Sequence, residues 1–311
     1  MILPELTSIT PSYIIVIEMS AHNLEGPLTT DSLGTKGLPF VPGSLHLTTS
    51  KHTGRYDATA TVEPENMRIE PGMFVSTKEP VPNYLPPQWS AHVHPEGQLY
   101  FYRHAELRVV TEAYIYAPQI MEKVIHWVRE IEALLLRKQV VLSDDIELFL
   151  QIDDNDCAYY FIDHLSHTEF WLDAADTETL CLLPAVTPSH LRLALQELYW
   201  IHVEYFPMHT KGLAPSVIEE LITIFSHALA DHMTSRTSTF PYAESDCAKF
   251  LKLLRGSRSQ VRDGHTICVI ARLWHLITID SQRTTGNNTP ASLETKPFWL
   301  IPPKRAVGFK P

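Results

Sequence analysis

A β-type signature occurs twice in this chain at one fixed spacing. Laying His104 on His164 needs no gap, and it places Tyr100 on Tyr160, Phe101 on Phe161, Tyr102 on Ile162 and Trp89 on Phe149. In the first copy an extended run, Trp89 to His94, meets the turn-prone Pro95-Glu96-Gly97-Gln98, then Leu99 to His104, then Arg108 to Thr111. In the second, Ile146 to Ile152 meets Asp153 to Asp156, then Ala158 to His164, then Thr168 to Trp171. Aromatic and β-branched residues flanking Pro, Gly, Asp and Asn are what strands joined by tight turns require. Two such three-strand units constrain the fold because neither is large enough to enclose a core.

Each unit is followed by a helical pattern. From Pro118 to Lys138, Ile120, Val124, Trp127, Ile131 and Leu134 or Leu135 recur at three- and four-residue spacing, with Pro118 at the start. After the second unit, Thr187 and Pro188 form a capping pair ahead of Leu191, Leu195, Leu198 and His202 or Tyr205. Further stripes run over 215–232 and 244–255, and Thr266 to Ile279 reads as another helix whose β-branched residues also permit a strand. Before residue 85 the chain is rich in Pro, Ser, Thr and Gly. There only Arg55 to Val62 alternates well enough for a strand, and after Asp280 the sequence turns polar.

Composition narrows the function classes. With 311 residues and 44% hydrophobic content the chain can bury a core. A formal charge of -11 with dispersed Lys and Arg argues against nucleic-acid binding. Cys157, Cys181, Cys247 and Cys268 form no Cys-x-x-Cys pair, which suits reduced thiols in an intracellular, cytoplasmic or nuclear setting. Tyr13 to Ile17 is cut short by Glu18, and Thr266 to Ile279 contains Arg272 and His275, so neither a signal peptide nor an integral membrane segment is expected.

Leu85-Pro86-Pro87-x-Trp89 followed by Tyr100-Phe101-x-x-His104 resembles the first two strands of a WW domain, and Tyr160-Phe161-x-x-His164 followed by Trp171 resembles its last two. The wider pattern, with 188–193, 202–207 and 237–242, resembles uncharacterised WW-domain-containing proteins of mushroom-forming fungi over roughly residues 55–275. The resemblance implies a small three-stranded sheet that buckles a Trp against Pro and clamps a Pro-rich peptide between a second-strand Tyr and the last Trp. On that reading Trp89, Pro86, Phe101, Phe149 and Phe161 are structural, and Tyr160, Ile162, His164 and Trp171 bind peptide. The copies depart from the family in complementary ways. Thr111 stands where the first groove needs Trp, whereas Phe149, Ala174 and Glu169 stand where the second expects Trp, Pro and a small hydroxyl residue.

No catalytic constellation is evident: there is no Gly-x-Ser-x-Gly elbow and no Gly-rich phosphate loop. His92-x-His94, the pair His164 and His167, and the pair His227 and His232 lack the partners that would complete a metal site, so no metal or other cofactor is expected. The Asp153 to Asp156 run lacks the Gly and Glu of a calcium loop.

The expected architecture is α+β: a mostly helical body with two small antiparallel WW-like β-sheets and disordered termini. Its segments are a largely disordered 1–84, modules at 85–116 and 142–176, an amphipathic helix at 117–141, a helical region at 187–279 and a tail at 280–311. Both modules are expected to pack on the helices. The expected function is non-enzymatic protein interaction, with a Pro-rich peptide or protein as partner. The alternative is a structural scaffold whose packed sheets bind no peptide.

Overall fold

In the computed structural model the chain divides into Met1–Pro39, outside the described residues, and a unit from Phe40 onward to which everything below refers. The structure describes residues 40–53, positions 66, 68, 69, 71, 72 and 75, and 85–286 except 236, 237, 239, 259 and 260. The expected strand at 55–62 and most of the expected disordered termini lie outside these residues.

The strands are β1 (Leu45–Leu47), β2 (Trp89–Val93), β3 (Leu99–Arg103), β4 (Arg108–Thr111), β5 (Ile146–Asp153), β6 (Asp156–Asp163) and β7 (Thr168–Phe170). The helices are α1 (Pro118–Lys138), α2 (Pro188–Tyr205), α3 (Pro215–Thr234), α4 (Glu244–Ser257) and α5 (Gly264–Gly286). The two expected meanders are present, β2-β3-β4 and β5-β6-β7, but they are not two small antiparallel sheets on a mostly helical body. They are six strands of one mixed seven-stranded sheet, of which β1 is the seventh. Arg108 to Thr111 of β4 pair in parallel with Glu147 to Leu150 of β5, and α1 makes the crossover between them.

The physical reason lies in the unpaired edges. A three-stranded sheet of this size is marginal alone, and joining edge to edge removes two exposed ladders at once. The signature of that merger is continuous burial. Glu147 to Leu150 and Tyr159 to Ile162 are buried without alternation, as strands covered on both faces must be. One face puts Phe101, Val109, Leu148, Leu150 and Phe161 against Val124, Trp127 and Ile131 of α1. The other puts Tyr100, Val110, Phe149, Tyr160 and Ile162 against Tyr199, Val203 and Phe206, with α3, α4 and α5 packed behind α2.

Helix starts follow the sequence closely. Thr187 caps α2 through His190 N–H at 3.1 Å with Pro188 in the first turn, and Pro118 and Pro215 occupy the first turns of α1 and α3. The segment Thr266 to Ile279 is helical and belongs to the longer α5.

The gapless repeat holds for Tyr100 with Tyr160 and Phe101 with Phe161, each pair facing the same side of the sheet. It fails for Trp89 with Phe149. Tyr160 pairs with Phe149, whereas Tyr100 pairs with His92, and Trp89 pairs with Arg103. The position of each hairpin tip explains the offset: Tyr100 is the second residue of β3, whereas Tyr160 is the fifth of β6, so the partner of Tyr160 lies farther back along the chain. Trp89 packs half-buried on the α1 side and meets Pro86 through a backbone hydrogen bond at 3.2 Å, while Phe101, Phe149 and Phe161 are fully buried.

Residues 40–53, expected as part of the tail, are ordered against the sheet. β1 runs parallel to β6, pairing Leu45 to Leu47 with Cys157 to Tyr159.

Because β4 depends on β5 for half its pairing, a peptide spanning 85–116 is expected to be unfolded by circular dichroism. The full chain is expected to lose sheet and helix signals in one urea transition. A cooperatively folded 85–116 peptide would contradict the single-sheet architecture.

Candidate functional site

Glu147 sits beside Phe149 in the run Ile146-Glu-Leu-Phe-Leu, on the strand parity that faces α2. A charged residue at an inward position must find partners or neutralise, and here three imidazoles approach one carboxylate. His202 of α2 donates Nε2–H to Glu147 Oε1 at 2.7 Å, and His209, in the turn after α2, donates Nε2–H to Oε2 at 3.0 Å. His164, just past β6, brings Nε2 to 3.7 Å from Oε2.

Each imidazole is backed by a phenol. The Tyr160 hydroxyl donates to His202 Nδ1 at 2.9 Å. The Tyr100 hydroxyl accepts Met208 N–H at 2.8 Å and is hydrogen-bonded to His209 Nδ1 at 3.2 Å. The Tyr199 hydroxyl lies 3.4 Å from His164 Nδ1. The protons on Nε2 of His202 and His209 follow from their partner, since an ionised carboxylate can only accept. The two repeat-equivalent tyrosines, one from each half of the sheet, thus each orient a histidine that converges on the same carboxylate.

Electrostatics match this geometry. Burial pushes the Glu147 carboxyl up, but the charge of His209 and the bonds from His164, His202 and His209 outweigh it and hold the group well below the usual carboxylate range. Burial lowers His202 despite the raising contact with Glu147. Burial, then the charge on His209, bring His92 down to about 4. His92 stacks on Tyr100 at 5.5 Å, and Tyr102 stacks on His209 at 4.3 Å, extending the cluster toward β2.

The far side of α2 is polar as well. Arg272 binds Glu204 at 2.7 Å and Glu96 at 2.9 Å, and Lys51 binds Glu197 at 2.7 Å. His275 lies between Glu204 and Glu197. Burial lowers its pKa, but the hydrogen bonds and charge of these two carboxylates raise it more, with a net upward shift. Residues 197–204 are buried in succession because α2 is wedged between the sheet and α5, so even its polar residues are internal.

Of the residues expected to bind peptide, Tyr160 and Ile162 have no exposed surface, lying under α2. His164 is 23% exposed at the rim of the Glu147 cluster. Trp171 stands apart from that cluster, half-buried, and its indole N–H donates to Thr48 O at 2.7 Å. The four do not form one open groove, and a peptide could reach Tyr160 only by displacing α2. Glu147 and His209 escaped the sequence reading, and His202 entered it only as a helix-stripe residue. The available signal was the lone carboxylate at an inward parity of an otherwise apolar strand.

Three other histidines have separate partners. His94 bonds Glu204 O at 3.0 Å, His167 stacks on Tyr199 at 4.9 Å, and His232 bonds Tyr242 O at 2.7 Å. Imidazole and carboxylate are metal-donor types, yet the two short contacts to Glu147 are hydrogen bonds. Among the described residues no group of three or more His, Cys, Asp or Glu side chains is arranged to hold a metal ion.

The cluster can fix the protonation and tautomer of each imidazole and bind α2 to both halves of the sheet. Comparison with known proteins adds no relative: no family model, curated protein or solved structure matches this chain.

Replacing Glu147 by Ala removes the shared acceptor of two buried N–H donors and is expected to cost about 3–5 kcal/mol, read from urea denaturation. Tyr160→Phe, which leaves His202 Nδ1 without its donor, is expected to cost about 1–3 kcal/mol.

The unfolded chain protonates His92 and His202 as pH falls through 6.5, while the folded chain resists. The stability linked to them is therefore present above pH 6.5 and is lost as pH falls toward the folded value, about 4 for His92. His92→Gln is expected to flatten the decline of the urea midpoint between pH 6.5 and 4 relative to wild type. An unchanged slope would show that His92 titrates freely in the folded protein.

Proposed function

We propose that this chain is a non-enzymatic scaffold in which both β-modules are packed on helices, with no Pro-rich-peptide groove on the face beneath α2. The observation that carries this reading is the complete burial of Tyr160 and Ile162. A proline clamp needs an exposed aromatic pair, whereas these side chains belong to the core shared with α2. The Glu147 cluster supports the same reading, because the short bonds of Tyr100, Tyr160, His202 and His209 are internal. A fully bonded buried network rigidifies the layers it joins.

Kinship with WW-domain-containing fungal proteins is part of the proposal, resting on the repeated Tyr-Phe-x-x-His spacing. So is an intracellular setting, supported by four free cysteines, three of them buried. Among the described residues no helix is long and apolar enough to cross a membrane.

A Pro-rich peptide array followed by calorimetry on the full chain is expected to yield no saturable binding, and Trp171→Ala is expected to leave that result unchanged. Saturable binding abolished by Trp171→Ala would reverse the reading in favour of a working clamp.

A further inference from the structure

The outer edge of β6 is shared by two short strands. β7 pairs with Phe161 to Asp163 and β1 with Cys157 to Tyr159. β1 belongs to a segment held by main-chain bonds, a few polar side chains and the packing of Leu45 and Leu47 on the core. Gly43 N–H donates to Asn155 O at 3.0 Å, Ser44 N–H to Asp156 Oδ1 at 2.7 Å, Cys157 N–H to Ser44 O at 3.0 Å and Thr48 N–H to Tyr159 O at 3.1 Å. Beyond the strand, Trp171 donates to Thr48 O. The segment then enters the space between β7 and α2. There Ser50 N–H donates to the Glu169 carboxyl at 3.2 Å, Ser50 Oγ–H donates to Leu198 O at 2.7 Å, and Lys51 pairs with Glu197.

These contacts have the chemistry of ligand recognition. Thr49 and Ser50 are completely buried and Thr53 nearly so, yet all three are small polar residues, while Leu45 and Leu47 stay half-buried. Past the two leucines, which pack on the core, the segment is held by hydrogen bonds. Glu169 is fully buried and directs both carboxyl oxygens at Ser50 N–H. Burial, outweighing the Ser50 bonds and the nearby Lys51 charge, holds that carboxyl well above its ordinary pKa, which suits a neutral acid at the floor of a groove. A Cβ on Gly43 would strike the Asp156 carboxylate oxygen that accepts Ser44 N–H, so a larger residue there displaces one of the segment's own bonds.

We propose that the β6–β7 edge together with residues 197 and 198 of α2 is a peptide-docking groove working by strand addition, filled in this chain by its own residues 43–53. Its ligand is an extended segment of the pattern Gly-x-Leu-x-Leu-x-Thr-Ser-Lys. Trp171 grips a main-chain carbonyl of that segment, so no proline is needed. The bound segment excludes competitors, and a partner carrying the same pattern gains access only when the internal copy leaves. This is a different surface from the buried Tyr160 face, and its failure would leave the scaffold reading standing.

The test uses the full chain, folded first, with a specific protease site inserted after Gly54 and then cut. A fluorescein-labelled peptide of residues 40–53 is added, and anisotropy and size exclusion are followed. The expected result is one labelled peptide bound per nicked chain, no uptake by the uncut chain, and at least tenfold weaker binding of a Ser50→Pro peptide, which lacks the N–H read by Glu169. The peptide substitution leaves folding of the body out of the comparison. Three results would overturn the proposal: the cut fragment never exchanges; the body unfolds when the fragment leaves; or the fragment leaves and the labelled peptide does not bind.

Discussion

The parallel pairing of β4 with β5 is the constraint on which the rest of the structure depends. Parallel neighbours cannot be joined by a tight turn, so the connection has to travel the length of the sheet as a helix. α1 supplies that connection and covers one face with Val124, Trp127 and Ile131. The fused sheet is then wide enough for α2 to cover the other face. Two units that are each too small to be stable become one layered core.

The same pairing makes the polar centre possible. Glu147 lies on β5 beside the seam, opposite Arg108 of β4. From there its carboxylate reaches a histidine oriented by Tyr100 of one meander and another oriented by Tyr160 of the other. A buried carboxylate is expensive to desolvate, and this one is held ionised by donors from separate parts of the chain. The arrangement adds specificity to the docking of α2. An apolar helix face could settle on an apolar sheet in several registers, whereas His202 and His209 meet Glu147 in only one.

Much of the local structure was legible. The three strands of each meander, the helix starts at Pro118, Thr187 and Pro215, and the equivalence of Tyr100 with Tyr160 follow from residue pattern. The equivalence of Trp89 with Phe149 did not survive, because a gapless repeat carries no information on where the hairpin tip falls, and Tyr100 lies closer to its tip than Tyr160 does. The docking of Leu45 to Thr53 was hidden for a related reason. The alternation Leu45-His46-Leu47 spans only three residues, too few to mark a strand, and the residues beyond it dock through hydrogen bonds that leave no apolar pattern.

By itself the sequence determined the elements: the twofold Tyr-Phe-x-x-His repeat, the amphipathic helices and the inward parity of Glu147 are local facts of spacing. Tertiary structure decided what those elements were for. Whether Tyr160 faces a ligand or a helix depends on where α2 lands, and whether two meanders stay apart depends on a pairing between β4 and β5 across a whole helix. Both are long-range choices set by burying edges and apolar faces together, and no window of sequence around either residue contains the partner that makes the choice.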